Sequence, residues 1–230
     1  MFYYDPTYII LLPAIILALF AQSRVQSTYR KFSQVASRRG MTGAAVARMI
    51  LDRNGLSQIR IERTPGELSD HFDPRQNVVR LSEGVHDSTS IAAIGIAAHE
   101  VGHALQHSHG YIPIKLRNSI VPVAQIASGL AFPLIFLGIF ISSFSALIPI
   151  GILMYTAVVL FQVITLPVEF NASHRAIETV YQLGCLDEEE TKNAKKVLSA
   201  AALTYVAAAA SAILQLLRLM AIAGNGRRRD

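Results

Sequence analysis

The apolar positions of this chain are concentrated in four long runs and are sparse elsewhere. Each run approaches the roughly 20 apolar helical residues that are needed to cross the hydrocarbon core of a bilayer. The runs are Phe2–Gln22, Ile120–Ile141, Ala146–Leu166 and Val197–Gly224. The pattern therefore predicts a membrane protein with three or four transmembrane helices.

The charges around the first run predict its orientation. Asp5 lies before the apolar residues, whereas Arg24, Arg30 and Lys31 follow them. A cleaved secretory signal carries its basic residues in front. We therefore interpret residues 1–23 as an uncleaved anchor with its N-terminus outside the cell, and a cleaved signal is the less favoured alternative.

The second and third runs predict a transmembrane hairpin over residues 119–167. Lys115 and Arg117 precede the pair, His174 and Arg175 follow it, and the link at 142–145 has no charge. The positive-inside rule places both ends in the cytoplasm and the tip outside. The two spans hold no ionisable side chain, which argues against a transporter.

The fourth run, residues 197–224, conflicts with the charge rule. A single crossing would carry the basic tail at 225–230, with Arg227, Arg228 and Arg229, to the outside. Packing on the catalytic domain, lying in the interface and re-entering the membrane are alternatives. The length and low charge of the run favour a span.

Polar and apolar positions alternate over shorter distances between the anchor and the hairpin. Residues 24–118 therefore predict a small α+β domain in the cytoplasm. The predicted elements are a helix capped by Thr42 that ends at Asn54-Gly55, strands at 58–62 and 77–81, a type I turn at 73–76, and a long helix that begins near Asp87 or Ser88 and ends at Gly110.

Composition supports a membrane protein and excludes some sites. Apolar residues make up 52% of the chain and charged residues 16%, against about 25% charged in soluble domains. The net charge is +5, and the basic residues lie mostly beside apolar runs and do not alternate with aromatic residues. This favours a lipid bilayer as partner and argues against nucleic acid. The single cysteine, Cys185, excludes an internal disulfide and a multi-cysteine metal site.

The long helix contains the motif His99-Glu100-Val101-Gly102-His103. Two histidines four residues apart share one helical face, so their imidazoles can converge on one metal ion. Zn²⁺ lowers the pKa of a bound water toward about 7, and Glu100 is placed to accept its proton as general base. The apolar residues before the motif predict a buried helix. A hydrogen-bonded pair of core histidines is the alternative.

A catalytic zinc ion needs a third protein ligand. His107 lies eight residues beyond His99, about 12 Å along a helix, which is too far. We expect His107 and His109 to be surface or supporting groups. Glu169, in the 168–196 region, is the better candidate, because Pro167 is typical of the first turn of a new helix. A solvated glutamate is the alternative.

Several motifs resemble the bacterial YugP-type neutral zinc metallopeptidase family. They are Asp70-His71-Phe72-Asp73-Pro74, Val79-Arg80-Leu81-Ser82, the segment 97–107, and Glu169-Phe170-Asn171-Ala172-Ser173, with further likeness at 43–56 and 202–207. The resemblance covers nearly the whole chain. It implies a membrane gluzincin in which His99, His103 and Glu169 bind Zn²⁺ and Glu100 is the base.

A more distant likeness links the chain to the HtpX and prenyl-protease clan. In that clan an aspartate follows the third-ligand glutamate by four residues and orients a ligating histidine, whereas this chain has Ser173. The resemblance therefore implies a different supporting shell. Candidates to orient an imidazole are Asn171, Asp70 and Asp73.

Two further roles are predicted for residues around the motif. His71, Tyr205 or Arg175 is a candidate donor to a developing oxyanion, with a structural role as the alternative for each. The strand that ends at Ser82 is a candidate to hold substrate backbone by β-addition.

Two functions are consistent with these predictions. The first is a zinc-dependent endopeptidase of the inner cell membrane that cleaves membrane or membrane-proximal proteins on the cytoplasmic side, with other membrane proteins as candidate partners that gate access. The alternative is a catalytically silent zinc-binding membrane scaffold. An intact Glu100 favours the enzyme, because a structural zinc site has no need of an unligated carboxylate.

Overall fold

The computed structural model of this chain describes residues 6–226. The predictions that involve Asp5 and Arg227–Arg229 lie outside these residues. The described part is mostly helical, with a 3-10 helix at Pro6–Leu11 and one small sheet. In chain order the elements are α1 Leu12–Phe32, α2 Gly43–Arg53, β1 Arg60–Thr64, β2 His71–Asp73, β3 Val78–Ser82, α3 Glu83–His86, α4 Ile91–Ser108, α5 Ile112–Phe140, α6 Leu147–Gln182 and α7 Glu188–Gly226.

The chain forms two compact units. The first, here called the span unit, comprises the described residues 6–21, 115–166 and 204–226. The second, called the sheet unit, comprises residues 22–114 and 167–203. Within the described residues, four helical segments are long and apolar enough to cross a membrane, namely Pro6–Phe32, Ile112–Phe140, Leu147–Gln182 and Glu188–Gly224. These segments agree with the four predicted runs.

Helix α2 of the sheet unit follows the sequence prediction closely. The Thr42 hydroxyl accepts a hydrogen bond from the Ala45 N–H, which satisfies one of the free amide donors of the first turn. Asn54 ends the helix, and Gly55 follows with a φ of +71°. Val46 and Ile50 of this helix are buried in the core of the sheet unit.

The sheet has the order β1-β3-β2, with β1 parallel and β2 antiparallel to β3. The predicted strands 58–62 and 77–81 are shifted to Arg60–Thr64 and Val78–Ser82, and the short strand β2 was missed. Because β3 is paired on both sides, the predicted β-addition of substrate to this strand is wrong. The outer strand β2 follows a loop and is joined to β3 by the predicted turn, in which the Asp73 carboxylate accepts from the Arg75 and Gln76 amides.

Helix α4 begins later than predicted. Its N-cap is Ser90, whose hydroxyl accepts a hydrogen bond from the Ala93 N–H, so the prediction of Asp87 or Ser88 as the cap is wrong. The short helix α3 ends at His86 and Asp87 caps its C-terminal end. Ser88 instead donates to the Ser90 hydroxyl and supports the cap. Gly110, with a φ of +66°, follows the end of α4 as expected.

Helix α6 is continuous through Pro167, so the prediction that a new helix begins there is wrong. Proline removes one backbone hydrogen bond from a helix. In an apolar helix of this length every break exposes further backbone groups to lipid, and continuing the helix leaves the fewest of them without partners. Pro122 and Pro133 lie inside α5 for the same reason.

The end of α7 packs beside the start of the first helical segment within the span unit. The Arg218 guanidinium lies 3.8 Å from the centroid of the Tyr8 ring, and its Nε donates to the Thr7 hydroxyl at 3.1 Å. These contacts bring the charge of Arg218 to a polar partner and an aromatic face. The last part of α7 therefore lies alongside the residues that open the first segment.

Candidate metal centre

The two histidines of the motif project from one side of α4. Most of this helix is buried, including every residue from Ile91 to Gly95. The side chains of His99 and His103 are 14% and 13% exposed. Their ring centroids are 4.7 Å apart and the rings are nearly perpendicular, at 84°. Both Nε2 atoms thus face the same small volume.

Helix α6 brings the carboxylate of Glu169 to these two rings. Its Oε2 lies 3.3 Å from His99 Nε2 and 3.5 Å from His103 Nε2. Glu169 is 2% exposed. Within the described residues these three form a cluster whose ligand atoms all lie within 4.8 Å of one another. The predicted third ligand therefore meets the motif, although it lies on a different helix from the histidines.

The two separations between Glu169 and the imidazoles match the spacing of ligand atoms around a tetrahedral zinc ion. With Zn–N and Zn–O bonds of about 2.0–2.1 Å, two ligand atoms of a tetrahedron are about 3.3–3.4 Å apart. The two separations from Glu169 Oε2 are 3.3 and 3.5 Å. Among the described residues, no donor makes a well-aligned hydrogen bond to this buried oxygen. Leaving a buried charged acceptor without a partner is costly, and a cation held among the three atoms would supply one.

Gly102 permits α4 and α6 to approach so closely. A Cβ at this position would lie 2.7 Å from the carbonyl oxygen of Ala172 and 3.2 Å from its Cα. These are backbone atoms of a regular helix, which cannot move without displacing Glu169 as well. The glycine between the two histidines therefore positions the carboxylate relative to the imidazoles.

Gln106 holds the second histidine. This side chain is fully buried, and its Oε1 lies 3.0 Å from His103 Nδ1. Its Nε2 donates to the Val168 carbonyl at 2.8 Å and to Asn171 Oδ1 at 3.0 Å. The amide thus links the His103 ring to the turn of α6 that carries Glu169.

Ser173 holds the first histidine. Its hydroxyl lies 3.1 Å from His99 Nδ1. The resemblance implied that different groups support the histidines. These groups are a hydroxyl beside His99 and an amide beside His103. Asn171 contributes by bonding to Gln106, and within residues 6–226 it makes no direct bond to either imidazole.

Glu100 is positioned beside the cluster without belonging to it. It is 9% exposed, and within residues 6–226 no hydrogen bond or ion pair engages its carboxylate. Burial of the His103 ring lowers its pKa, but the carboxylates of Glu169 and Glu100 outweigh burial and raise the pKa of His103 above its usual value. The two carboxylates together carry a charge that a divalent cation would neutralise.

The other predicted supporting residues have different partners. Asp70 accepts from the Ser82 amide and hydroxyl, and Asp73 binds its own turn and Arg80. His71 is exposed on β2, where its ring bonds to the Ser69 carbonyl at 2.8 Å. Tyr205 belongs to the span unit. The oxyanion roles of His71, Tyr205 and Arg175 stay predictions.

The remaining predicted residues lie at the exposed end of α4. His107 packs edge-on against Phe72 of β2, with ring centroids 5.9 Å apart. His109 lies 3.2 Å from the Arg175 guanidinium, which also donates through Nε to Asn171 Oδ1 at 2.8 Å. His107 and His109 are exposed and lie outside the metal-ligand cluster, as the sequence predicted.

Sequence reasoning missed Gln106 and Gly102. Gln106 lies three residues after His103, on the same face of a helix that is otherwise apolar, so a buried polar partner was detectable from this spacing. Nothing in the sequence indicated that Gly102 meets the backbone of α6, because that contact joins positions 70 residues apart.

Two comparisons relate the chain to known proteins. The model of a family described as "Putative neutral zinc metallopeptidase" matches residues 7–224. The chain is 50% identical over 211 residues to "Putative membrane protease YugP" of Bacillus subtilis (strain 168), which covers 92% of this chain and 93% of that protein. No solved structure matches the chain.

Proposed function

The chain belongs to the family described as "Putative neutral zinc metallopeptidase", and on this basis we propose that it is a membrane-bound, zinc-dependent endopeptidase of the gluzincin type. His99, His103 and Glu169 bind Zn²⁺, and Glu100 is the general base. The substrates are membrane or membrane-proximal proteins. The chain is a membrane protein by its four apolar helices and by its relative's name.

One observation carries this proposal. The buried oxygen Glu169 Oε2 faces two imidazole nitrogens at 3.3 and 3.5 Å without a well-aligned hydrogen bond to either. A structural histidine–carboxylate pair would close to hydrogen-bonding geometry, near 2.7–2.9 Å. The wider spacing is that of atoms which share a metal ion.

The residues of the site have the chemistry needed for hydrolysis. Zinc in this cluster supplies Lewis-acid activation of water and of the scissile carbonyl. The Glu100 carboxylate takes a proton from the water whose oxygen attacks the carbonyl carbon, and it returns that proton to the amine nitrogen as the carbon–nitrogen bond breaks. Because no described residue hydrogen bonds to Glu100, its lone pairs are available for this transfer.

The continuity of α6 supports a membrane substrate. Glu169 follows the predicted end of the span, Leu166, by three residues in one unbroken helix, which corresponds to about 4.5 Å along the axis. A ligand at this distance from an apolar span keeps the metal near the bilayer surface. Peptide bonds in or beside membrane segments are therefore the accessible substrates.

Charge order supports a cytoplasmic site. Arg24 and Lys115 lie where the chain passes between the span unit and the sheet unit. The positive-inside rule places these positions in the cytoplasm and the N-terminus outside. The contact of Arg218 with Thr7 and Tyr8 then supports α7 as a span whose far end lies on the side of the N-terminus.

The outer strand β2 is the better candidate to hold substrate backbone. Its partner β3 is paired on both sides, whereas β2 has one edge without a strand among the described residues. Phe72 of β2 contacts His107, which lies one helical turn beyond His103. A substrate strand added to β2 would therefore run past the end of α4 that carries the metal ligands.

Replacing Glu100 by glutamine tests the proposal. The purified full-length Glu100→Gln protein in detergent or liposomes should retain about one zinc ion per chain, as wild type does, and should not cleave a membrane-protein substrate. Glu178→Gln is the matched control, because Glu178 lies on the exposed side of α6. This control should keep both zinc and cleavage.

Persistent cleavage by the Glu100→Gln protein would show that the assignment of the base is wrong. A wild-type protein that binds zinc tightly, cleaves no substrate and has the same cellular phenotype as Glu100→Gln would instead identify the scaffold alternative.

A further inference from the structure

A chain of amide hydrogen bonds extends from Arg175 to the second metal-binding histidine. It begins at a group whose role is unambiguous, because the Arg175 guanidinium has donors only. The atom of Asn171 that lies 2.8 Å from Arg175 Nε must therefore be the acceptor Oδ1. This contact determines which way the Asn171 amide points.

The next amide is determined in the same way. The Gln106 atom that contacts both Asn171 Oδ1 and the Val168 carbonyl, at 3.0 and 2.8 Å, meets two acceptors and must be the donor Nε2. The opposite atom of this amide is then Oε1, which lies 3.0 Å from His103 Nδ1. An oxygen at this position accepts a hydrogen bond, so Nδ1 must be the donor and must carry the ring proton.

We infer that Arg175, acting through Asn171 and Gln106, fixes the His103 ring in the tautomer protonated at Nδ1 and so presents the lone pair of Nε2 to the metal. Arg175 is a positioning residue in this scheme, because it contacts no ligand atom. The inference rests on the proposed metal centre and adds the cause of its ring orientation. A ligating histidine binds through one nitrogen only when the other holds the proton.

His99 has no comparable constraint. Its Nδ1 faces only the Ser173 hydroxyl, which can rotate and act as donor or acceptor. The two ligands are therefore fixed to different degrees, and loss of the amide chain should affect the metal more than loss of the hydroxyl.

Substitutions at Asn171 separate the tautomer effect from a packing effect. Asn171→Leu keeps the number and branching of the side-chain heavy atoms and removes one of the two acceptors of Gln106 Nε2, so the Val168 carbonyl alone opposes a turn of the amide that would present its NH₂ group to His103. The zinc dissociation constant, measured by chelator competition on the full-length protein, should rise about 10- to 100-fold. Asn171→Asp keeps an acceptor for both donors and should bind zinc at least as tightly as wild type.

The controls use the same measurement. Asn193→Leu repeats the substitution on α7, where among the described residues the Asn193 side chain bonds only to Lys196, and it should leave affinity unchanged. His109→Ala removes a second contact of Arg175, keeps the Tyr111 ring beneath its guanidinium, and should also have no effect. Arg175→Met should weaken zinc binding, and Arg175→Lys, which can still donate to Asn171, should partly restore it.

Nitrogen NMR of the zinc-loaded, histidine-labelled protein gives a readout that a purely structural role would not change. Wild type should show His103 metallated at Nε2 with a slowly exchanging Nδ1 proton, and Asn171→Leu should lose the slow exchange. Metallation of His103 at Nδ1, or unchanged affinity in Asn171→Leu, would overturn the inference while leaving the zinc site intact. A wild type that binds zinc without peptidase activity would overturn only the proposed enzyme, and a wild type without zinc would overturn both.

Discussion

The span unit and the sheet unit arrange the same kinds of apolar side chains in opposite ways. In the sheet unit Ile94 is fully buried, whereas in the span unit Leu153 is 72% exposed. In the most apolar stretch of Pro6–Phe32, only 11% of the residues are buried within the structure. The difference indicates two solvents, because the hydrophobic effect drives apolar groups inward only against water, and lipid offers no such drive.

The acidic side chains follow the same division. Every aspartate and glutamate between residues 6 and 226 lies in the sheet unit. Glu190 and Glu169 are both buried there. Glu190 accepts from the backbone amides of Arg38 and Asp187, whereas Glu169 Oε2 has no well-aligned donor. Burial alone therefore does not distinguish the two glutamates, and the lack of a well-aligned donor at Glu169 Oε2 does.

The comparison of the two buried glutamates predicts the largest effect. Glu169→Ala removes a metal ligand, so bound zinc should fall from about one ion per chain to near zero and cleavage should be lost. Glu190→Ala should keep zinc but lower the free energy of unfolding by about 1–3 kcal/mol, because two amides lose their acceptor. Metal analysis and denaturant unfolding of the two proteins check this. Zinc retention in Glu169→Ala would contradict the ligand assignment.

The next largest effect should come from truncating an apolar side chain in each unit and comparing the loss in the free energy of unfolding. Ile94→Ala leaves a cavity in the sheet unit and should lower the free energy of unfolding by about 2–5 kcal/mol. Leu153→Ala removes a side chain that is exposed in the span unit and should change it by less than about 1 kcal/mol. Both free energies of unfolding should be measured in the same detergent. Equal losses would argue that Leu153 is covered by a partner.

Glycine substitutions give a smaller contrast. Gly102→Ala introduces a Cβ against the Ala172 backbone and should cost about 1–3 kcal/mol, with weaker zinc binding as α4 and α6 separate. Gly129→Ala in α5 meets no atom within 4 Å, so stability and metal affinity should be unchanged. Thermal unfolding and zinc competition measure both. A stable Gly102→Ala protein with wild-type affinity would show that the helices separate without cost.

Acid pH should produce the smallest difference. Hydrogen bonds from Arg63 and His86 lower the pKa of Asp87 from 3.8 to about 2. Because this pKa is lower in the folded than in the unfolded chain, the ionised carboxylate stabilises the fold above about pH 4, and this contribution is lost as the pH falls toward 2. Asp87→Asn should therefore lose less stability than wild type over that interval. Denaturant unfolding of wild type and Asp87→Asn at several pH values measures this difference. Equal losses of stability in the two proteins would contradict the prediction.

Local patterns in the sequence predicted much of the sheet unit and where the apolar helices lie along the chain. The Thr42 cap, the Asn54-Gly55 stop and the two histidines four residues apart are properties of consecutive residues, so no tertiary contact was needed to predict them. The start of α4 was misplaced because Asp87, Ser88 and Ser90 are all good caps in isolation. The hydrogen bond from the Ile91 amide to the Val35 carbonyl shows that distant backbone also fixes this boundary.

The sequence by itself determined where apolar helices run and which helix carries the paired imidazoles, because hydrophobic period and helical spacing act within a few residues. Only the tertiary structure decided that α6 continues through Pro167, that Glu169 faces both rings, and that Gln106 and Asn171 connect His103 to Arg175. These facts depend on the approach of α4 to α6 at Gly102, a contact between backbones far apart in the chain. Local propensity has no information about such a contact, since its energy arises only when both helices are in place.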